Sequence, residues 1–241
     1  MDDLPSEGGW AGDGGKPGAP FFDLARAMMP LPTLLAEGKK LLRQTRTSET
    51  HSAIQDLLER TLNMEAELKD WDASLPPVWQ KRTIAYVQDV PTDLMNAEAW
   101  IGPIHEYSDI HVSSMINHQR ASRICCNCLI MKCLEWLSRG ECEQDPQYQR
   151  ARYDRLQMLD DLCYSIPFHF GWSTRSDAQT QRERLMTKNL GVHGLIWPTS
   201  IAVGYAEMPT QQGIWLRGRL RAIVKTHGFQ QAMLMQQGMG F

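Results

Sequence analysis

The chain has 241 residues, 42% of them hydrophobic, and a formal net charge of −3. That length lets one large domain or two small ones bury roughly 70 to 75% of the unfolded surface. The mildly acidic balance argues against a surface built mainly to neutralise nucleic-acid phosphates. Val, Phe and Tyr are sparse beside Leu, Met, Ala, Gln, Glu and Arg, which favours helices over sheets. An all-α protein is expected, in the form of an irregular multi-helix bundle.

Residues 1–20 hold six glycines and three prolines with little apolar content. Such a segment cannot offset the entropy of ordering, so it is expected to be a flexible N-terminal arm, with a helical domain over 21–241. Its start, MDDLPSEGGW, lacks the basic and apolar parts of a signal peptide. No run of about 18 apolar residues follows, so no membrane span is expected and the thiols should be reduced, as inside cells.

FFDLARAMM and LLAEGKKLLRQ read as two short helices split by Pro30 and Pro32. Lys39, Lys40, Arg43 and Arg46 read as the solvated face of the second, with an anion site as the alternative. Thr47 or Ser48 can cap the next helix. There Ile54, Leu57, Leu58, Leu62, Met64, Leu68 and Trp71 recur at a period near 3.6, with Glu65 among the acids placed opposite. It must stop at Pro76 and Pro77, with Trp71 and Trp79 packing around the turn. Residues 80–103 read as irregular apart from the strand-like TIAYV.

The stretch Ile104–Leu137 begins polar and becomes apolar on nearly every side between Ile124 and Leu137, the pattern of a helix in the middle of a protein. A second helical stripe runs through YQRARYDRLQMLDDLCYSI, and PFHFGWSTRSDAQTQRERLMT reads as a surface loop. GVHGLIWPTSIAVGYAE carries small residues that let helices approach closely, with Pro198 near a helix start or kink. TQQGIWLRGRLRAIVKTHG and FQQAMLMQQ read as the last helices, joined at Gly228.

Any metal or thiol chemistry has to be sought in Ile104–Leu137, which holds four of the six cysteines and three of the seven histidines. Cys125 and Cys128 can share a helix face, but no second close pair exists to complete a tetrahedral zinc site. Buried structural thiols are therefore expected, with no metal and no cofactor. His105, Glu106, Asp109 and His111 have ligand-type side chains, yet behind Pro103 they read as a loop leading into a helix that Asp109 caps. No catalytic residue is assigned. The candidate ligand-binding or polar-core residues are His111, Asn117, Arg120 and Arg123, with Asp154, Asp160 and Asp161 as available partners for the arginines.

The order of these segments resembles the regulatory domain, or middle homology region, of fungal transcription factors of the binuclear zinc-cluster type. The resemblance rests on WDASLPPVW (Trp71–Trp79), the helix opening YSDIHVSSMINHQRASRI, SIPFH (Ser165–His169), the Gly191–Pro198 segment ending in Trp-Pro, and the Trp215–Arg221 helix. It spans roughly Phe21 to Met235. The six-cysteine zinc module and basic segment with which such factors read DNA have no counterpart here, since the first cysteine is Cys125. The resemblance thus implies a regulatory protein of transcription, often of secondary metabolism, with no direct specific DNA binding. Its implied location is the nucleus, or alternatively the cytoplasm. Its implied partners are a full-length factor, a second copy as a dimer, or a small-molecule effector. The alternative function is an enzyme that uses this scaffold to bind a hydrophobic metabolite.

Overall fold

A computed structural model describes residues 19–172, 178–205 and 210–227; of 19, 178–190 and 226–227 it describes the backbone only. The described part is mostly helical. The helices α1 (Ala19–Met28) and α2 (Leu31–Leu41) are separated at Pro30, as expected, and Pro32 occupies the first turn of α2 where its missing donor costs nothing. The Thr47 hydroxyl accepts from the Thr50 amide at 3.1 Å to cap α3 (Ser48–Ala73). This helix ends before a 3-10 turn at Pro77–Trp79. The Trp71 indole donates to the Pro20 carbonyl at 2.7 Å, which fastens the start of α1 to the end of α3.

Two corrections to the sequence reading fall on residues 80–110. Strand β1 (Arg82–Val87) contains the expected TIAYV, but it pairs antiparallel with a second strand, β2 (Gly102–Glu106). His105 and Glu106 therefore belong to a strand and not to a loop, while one small two-stranded sheet in an otherwise helical chain leaves the expected all-α class in place. Short strands with a bulge between Thr83 and Ala85 leave little periodic signal to read.

The central helix α4 (Ile110–Leu137) is capped by Asp109, whose carboxylate accepts from the His111 amide at 2.6 Å. It packs against α3, α5 (Pro146–His169) and α6 (Ala178–Tyr205), which explains why it is apolar on nearly every side from Ile124 onward and why its polar residues before that are buried too. A Cβ on Gly191 or Gly194 would collide with Ile110 or Ser114, so these glycines set how closely α6 lies on α4. The segment from Pro167 expected to be a loop is instead helical at both ends. Helix α5 runs on to His169 with Pro167 in its last turn, and α6 begins at Ala178. Pro198 lies inside α6, where it removes one hydrogen bond without ending the helix. Helix α7 (Gln211–His227) buries Trp215, which donates to the Ala97 carbonyl at 3.0 Å and packs on Trp100. The expected arm before Ala19, the join at Gly228 and the segment FQQAMLMQQ lie outside the described residues. Among the described residues, no helix is long and apolar enough to cross a membrane.

Candidate functional site

Ser113, Asn117 and Arg120 stand at spacings of four and three on α4 and so share one face, all buried. A polar triad inside a helix–helix contact must find partners in the protein. Arg120 Nη1 donates to the Tyr107 hydroxyl at 2.8 Å and to Asn117 Oδ1 at 2.9 Å. Asn117 Oδ1 also accepts from Ser165 Oγ at 2.9 Å, which fixes the amide so that its Nδ2 faces His169 Nε2 at 3.2 Å. His169 Nδ1 lies 2.8 Å from the Gly191 carbonyl, an acceptor only. The proton is therefore on Nδ1, and Nε2 accepts from Asn117 and from Ser113 Oγ at 2.8 Å. Burial pushes the pKa of His169 down to about 4, which keeps the ring neutral.

Arg123 lies one turn further along and makes a separate cluster. Its Nε and Nη2 donate to Glu65 on α3 at 2.9 and 2.6 Å, with Asp154 on α5 at 4.0 Å. Glu65 is buried, not on the outer face of α3 as its place among the acids suggests. It sits four residues from Thr61 and three from Leu68, both buried, so it falls inside the core stripe.

The expected site is thus corrected at one position and extended at several. Asn117 and Arg120 form one network and Arg123 another. His111 belongs to neither, because it is exposed on the first turn of α4. Asp154 reaches Arg123, and Asp161 acts on Arg120 through its charge, whereas Asp160 accepts from Gln212 on α7 at 2.7 Å. Glu65, Tyr107, Ser113, Ser165 and His169 were not singled out from sequence. The spacing of Ser113 from Asn117 and of Glu65 from Thr61 carries a signal, but nothing local to SIPFH does.

Arg120 and Tyr107 also line a cleft of about 300 Å³ between the end of α3, the Pro77–Trp79 turn, α4 and α5. Asp72, Lys81, Asp161 and Trp79 lie on its walls, and Leu75, Ile116 and Met158 make them partly apolar. Lys81 Nζ meets Asp161 Oδ1 at 2.6 Å. Burial disfavours the Arg120 cation, but Tyr107, Asp161 and Asp72 hold its pKa above the ordinary arginine value. Burial likewise pushes Asp161 up, and Arg120 and Lys81 more than offset it, so the carboxyl stays below the usual range. Two cations and two carboxylates thus face a partly enclosed space.

Reactive chemistry has less to work with. His105 is buried in β2 beside Tyr164, Glu106 pairs with Arg82, and His111 faces solvent, so the three do not converge. Burial, then Lys81 and Arg120, push the pKa of His105 down to about 4. The Ser113–His169 pair has the distance of a nucleophile and its base. Both residues are fully buried, and His169 leans on a carbonyl where a carboxylate would be needed to stabilise an imidazolium. All six cysteines are buried free thiols, and burial raises the pKa of Cys125, Cys126, Cys133 and Cys163. Among the described residues, no three His, Cys, Asp or Glu side chains are grouped to hold a metal ion.

The chain matches no protein-family model, no curated protein and no solved structure.

Proposed function

We propose that this chain is a regulatory protein of transcription of the fungal type, acting through bound partners and not through DNA contacts of its own. In this reading a small polar effector occupies the cleft at Arg120, and the helices around it carry the signal to a full-length transcription factor or to a second copy of the chain. The protein works in the nucleus, on genes of metabolism, secondary metabolism among them.

The supporting observation is the cleft itself. Arg120 is held by Asn117 and Tyr107, so its guanidinium is oriented before any ligand arrives, which lowers the ordering cost of binding. No activated nucleophile or metal cluster accompanies it among the described residues. The arrangement favours binding over turnover. The order of the segments supports the transcriptional part of the reading through the family resemblance.

Deletion of the gene followed by transcript and metabolite profiling tests the proposal. Altered levels of many transcripts are expected. Unchanged transcripts together with one accumulated precursor would refute it in favour of the enzyme.

A further inference from the structure

A second concavity, of about 370 Å³, lies between α2 and the C-terminal end of α4 and shares no lining residue with the effector cleft. Its floor is apolar, made by Leu42 and Trp136, and its walls include Lys39, Arg43 and Lys132. Arg46 adds a guanidinium 4.7 Å from the centre of the Trp136 ring. The run from Lys39 to Arg46 contains four basic residues and no acid.

What sets the groove apart is the gathering of its cations around one tryptophan. Arg26, Arg60, Lys81, Arg82 and Arg150 each have a carboxylate at salt-bridge distance. Among the described residues, Lys39, Lys40, Arg43 and Arg46 have none, although the chain as a whole carries a net charge of −3. The one carboxylate of the groove, Glu135, accepts the Tyr148 hydroxyl at 2.9 Å. Placement near the negative end of α2 accounts for Lys39 and Lys40. It does not account for Arg43 and Arg46 beyond that helix, nor for their gathering with Lys132 around a partly exposed tryptophan.

We infer that this groove is a docking site for an acidic peptide segment of a partner protein, with an apolar side chain seated on Trp136 and Leu42 and carboxylates meeting Lys39, Arg43 and Arg46. Charge complementarity selects an anionic partner. The apolar floor selects a peptide over nucleic acid, because a concavity floored by one tryptophan and one leucine admits a side chain and not a duplex. Long-range attraction between such a patch and an acidic segment also speeds encounter at low salt.

The test is fluorescence anisotropy on the full chain with a labelled peptide of alternating acidic residues and leucine, beside a lysine-for-acid version and a random duplex DNA. The acidic peptide is expected to bind with Kd of about 10 to 100 μM and to weaken about tenfold in K39E/R43E, since two surface ion pairs are worth about 1.4 kcal/mol together. Serine in place of the peptide's leucines should weaken binding as well, and the lysine peptide should not bind. Both substituted positions are exposed, and an unchanged melting temperature of K39E/R43E checks its fold; R46E serves as a second variant. The inference is overturned if the acidic peptide fails to bind at about 1 mM, if both variants bind it like the wild type, or if duplex DNA binds more tightly than the peptide.

Discussion

Replacing Glu65 by alanine tests the packing of α4 against α3 at its most polar point. The carboxylate takes three hydrogen-bond contacts from Arg123, at 2.6, 2.9 and 3.1 Å, and the two side chains are only 6% and 12% exposed. Removing one partner of such a pair leaves a buried charge and costs about 3 to 5 kcal/mol. Asp154, 4.0 Å from Arg123 Nη2, can take up part of the lost interaction, which places the expected cost near the lower bound, about 3 kcal/mol. For a chain of this size that lowers Tm by about 6 to 12 °C. Replacing both partners with apolar residues, E65L/R123M, leaves no unpaired charge and should lie within about 1 kcal/mol of the wild type. Equilibrium urea unfolding of the wild type, E65L, R123M and E65L/R123M gives the coupling energy directly. A cost below about 1 kcal/mol for E65A, or a double variant that costs the sum of the singles, would refute the buried-pair reasoning.

Three further expectations follow from the same geometry. His169 and His105 have pKa values of about 4 when folded against about 6.5 when unfolded, so the unfolded chain binds more protons between those values. Stability should therefore fall as pH drops from about 6.5 toward 4, by at most about 3 kcal/mol per histidine, and H169Q should flatten that slope in urea titrations from pH 6.5 to 4.5. A Cβ on Gly218 would overlap the Met95 carbonyl oxygen; G218A should lower stability by about 1 to 3 kcal/mol, measured by thermal melting. The six buried thiols should react with a disulfide reagent only after addition of denaturant; prompt reaction of Cys125, Cys126, Cys128 or Cys133 in the native chain would contradict the core placement of α4.

Long periodic segments were readable because their period survives in sequence. Thr47, Pro76 and Pro77 marked the ends of α3, Asp109 marked the start of α4, and the apolar circumference of α4 marked its central place. The β1–β2 hairpin was half missed. Its second strand carries Pro103, His105 and Glu106, whose polar types speak for a loop, and it is held by pairing with β1, which is a nonlocal fact. The extension of α5 through Pro167 was missed for a similar reason. Proline ordinarily breaks a helix, yet here it falls in the last turn, with His169 tied to Gly191 on α6.

The site divides along the same line. Asn117, Arg120 and Arg123 stood out because polar groups inside an apolar helix require partners. The identities of those partners come from contacts across 13 residues of chain for Tyr107 and 48 to 58 for Ser165, His169 and Glu65. His111 lies in the same stretch of sequence, but the first turn of α4 turns it to solvent.

The most direct test of the effector reading is to fill the cleft without disturbing the network behind it. Ala73 lines the cleft at the exposed end of α3, so A73W should occupy the space while Arg120, Asn117 and His169 keep their partners. Transcript profiling of a strain carrying this allele, compared with the deletion strain and the wild type, is the decisive measurement, with immunoblotting to show that the protein accumulates. The account predicts that the A73W profile matches the deletion. A wild-type profile from A73W in a gene whose deletion alters transcription would contradict it.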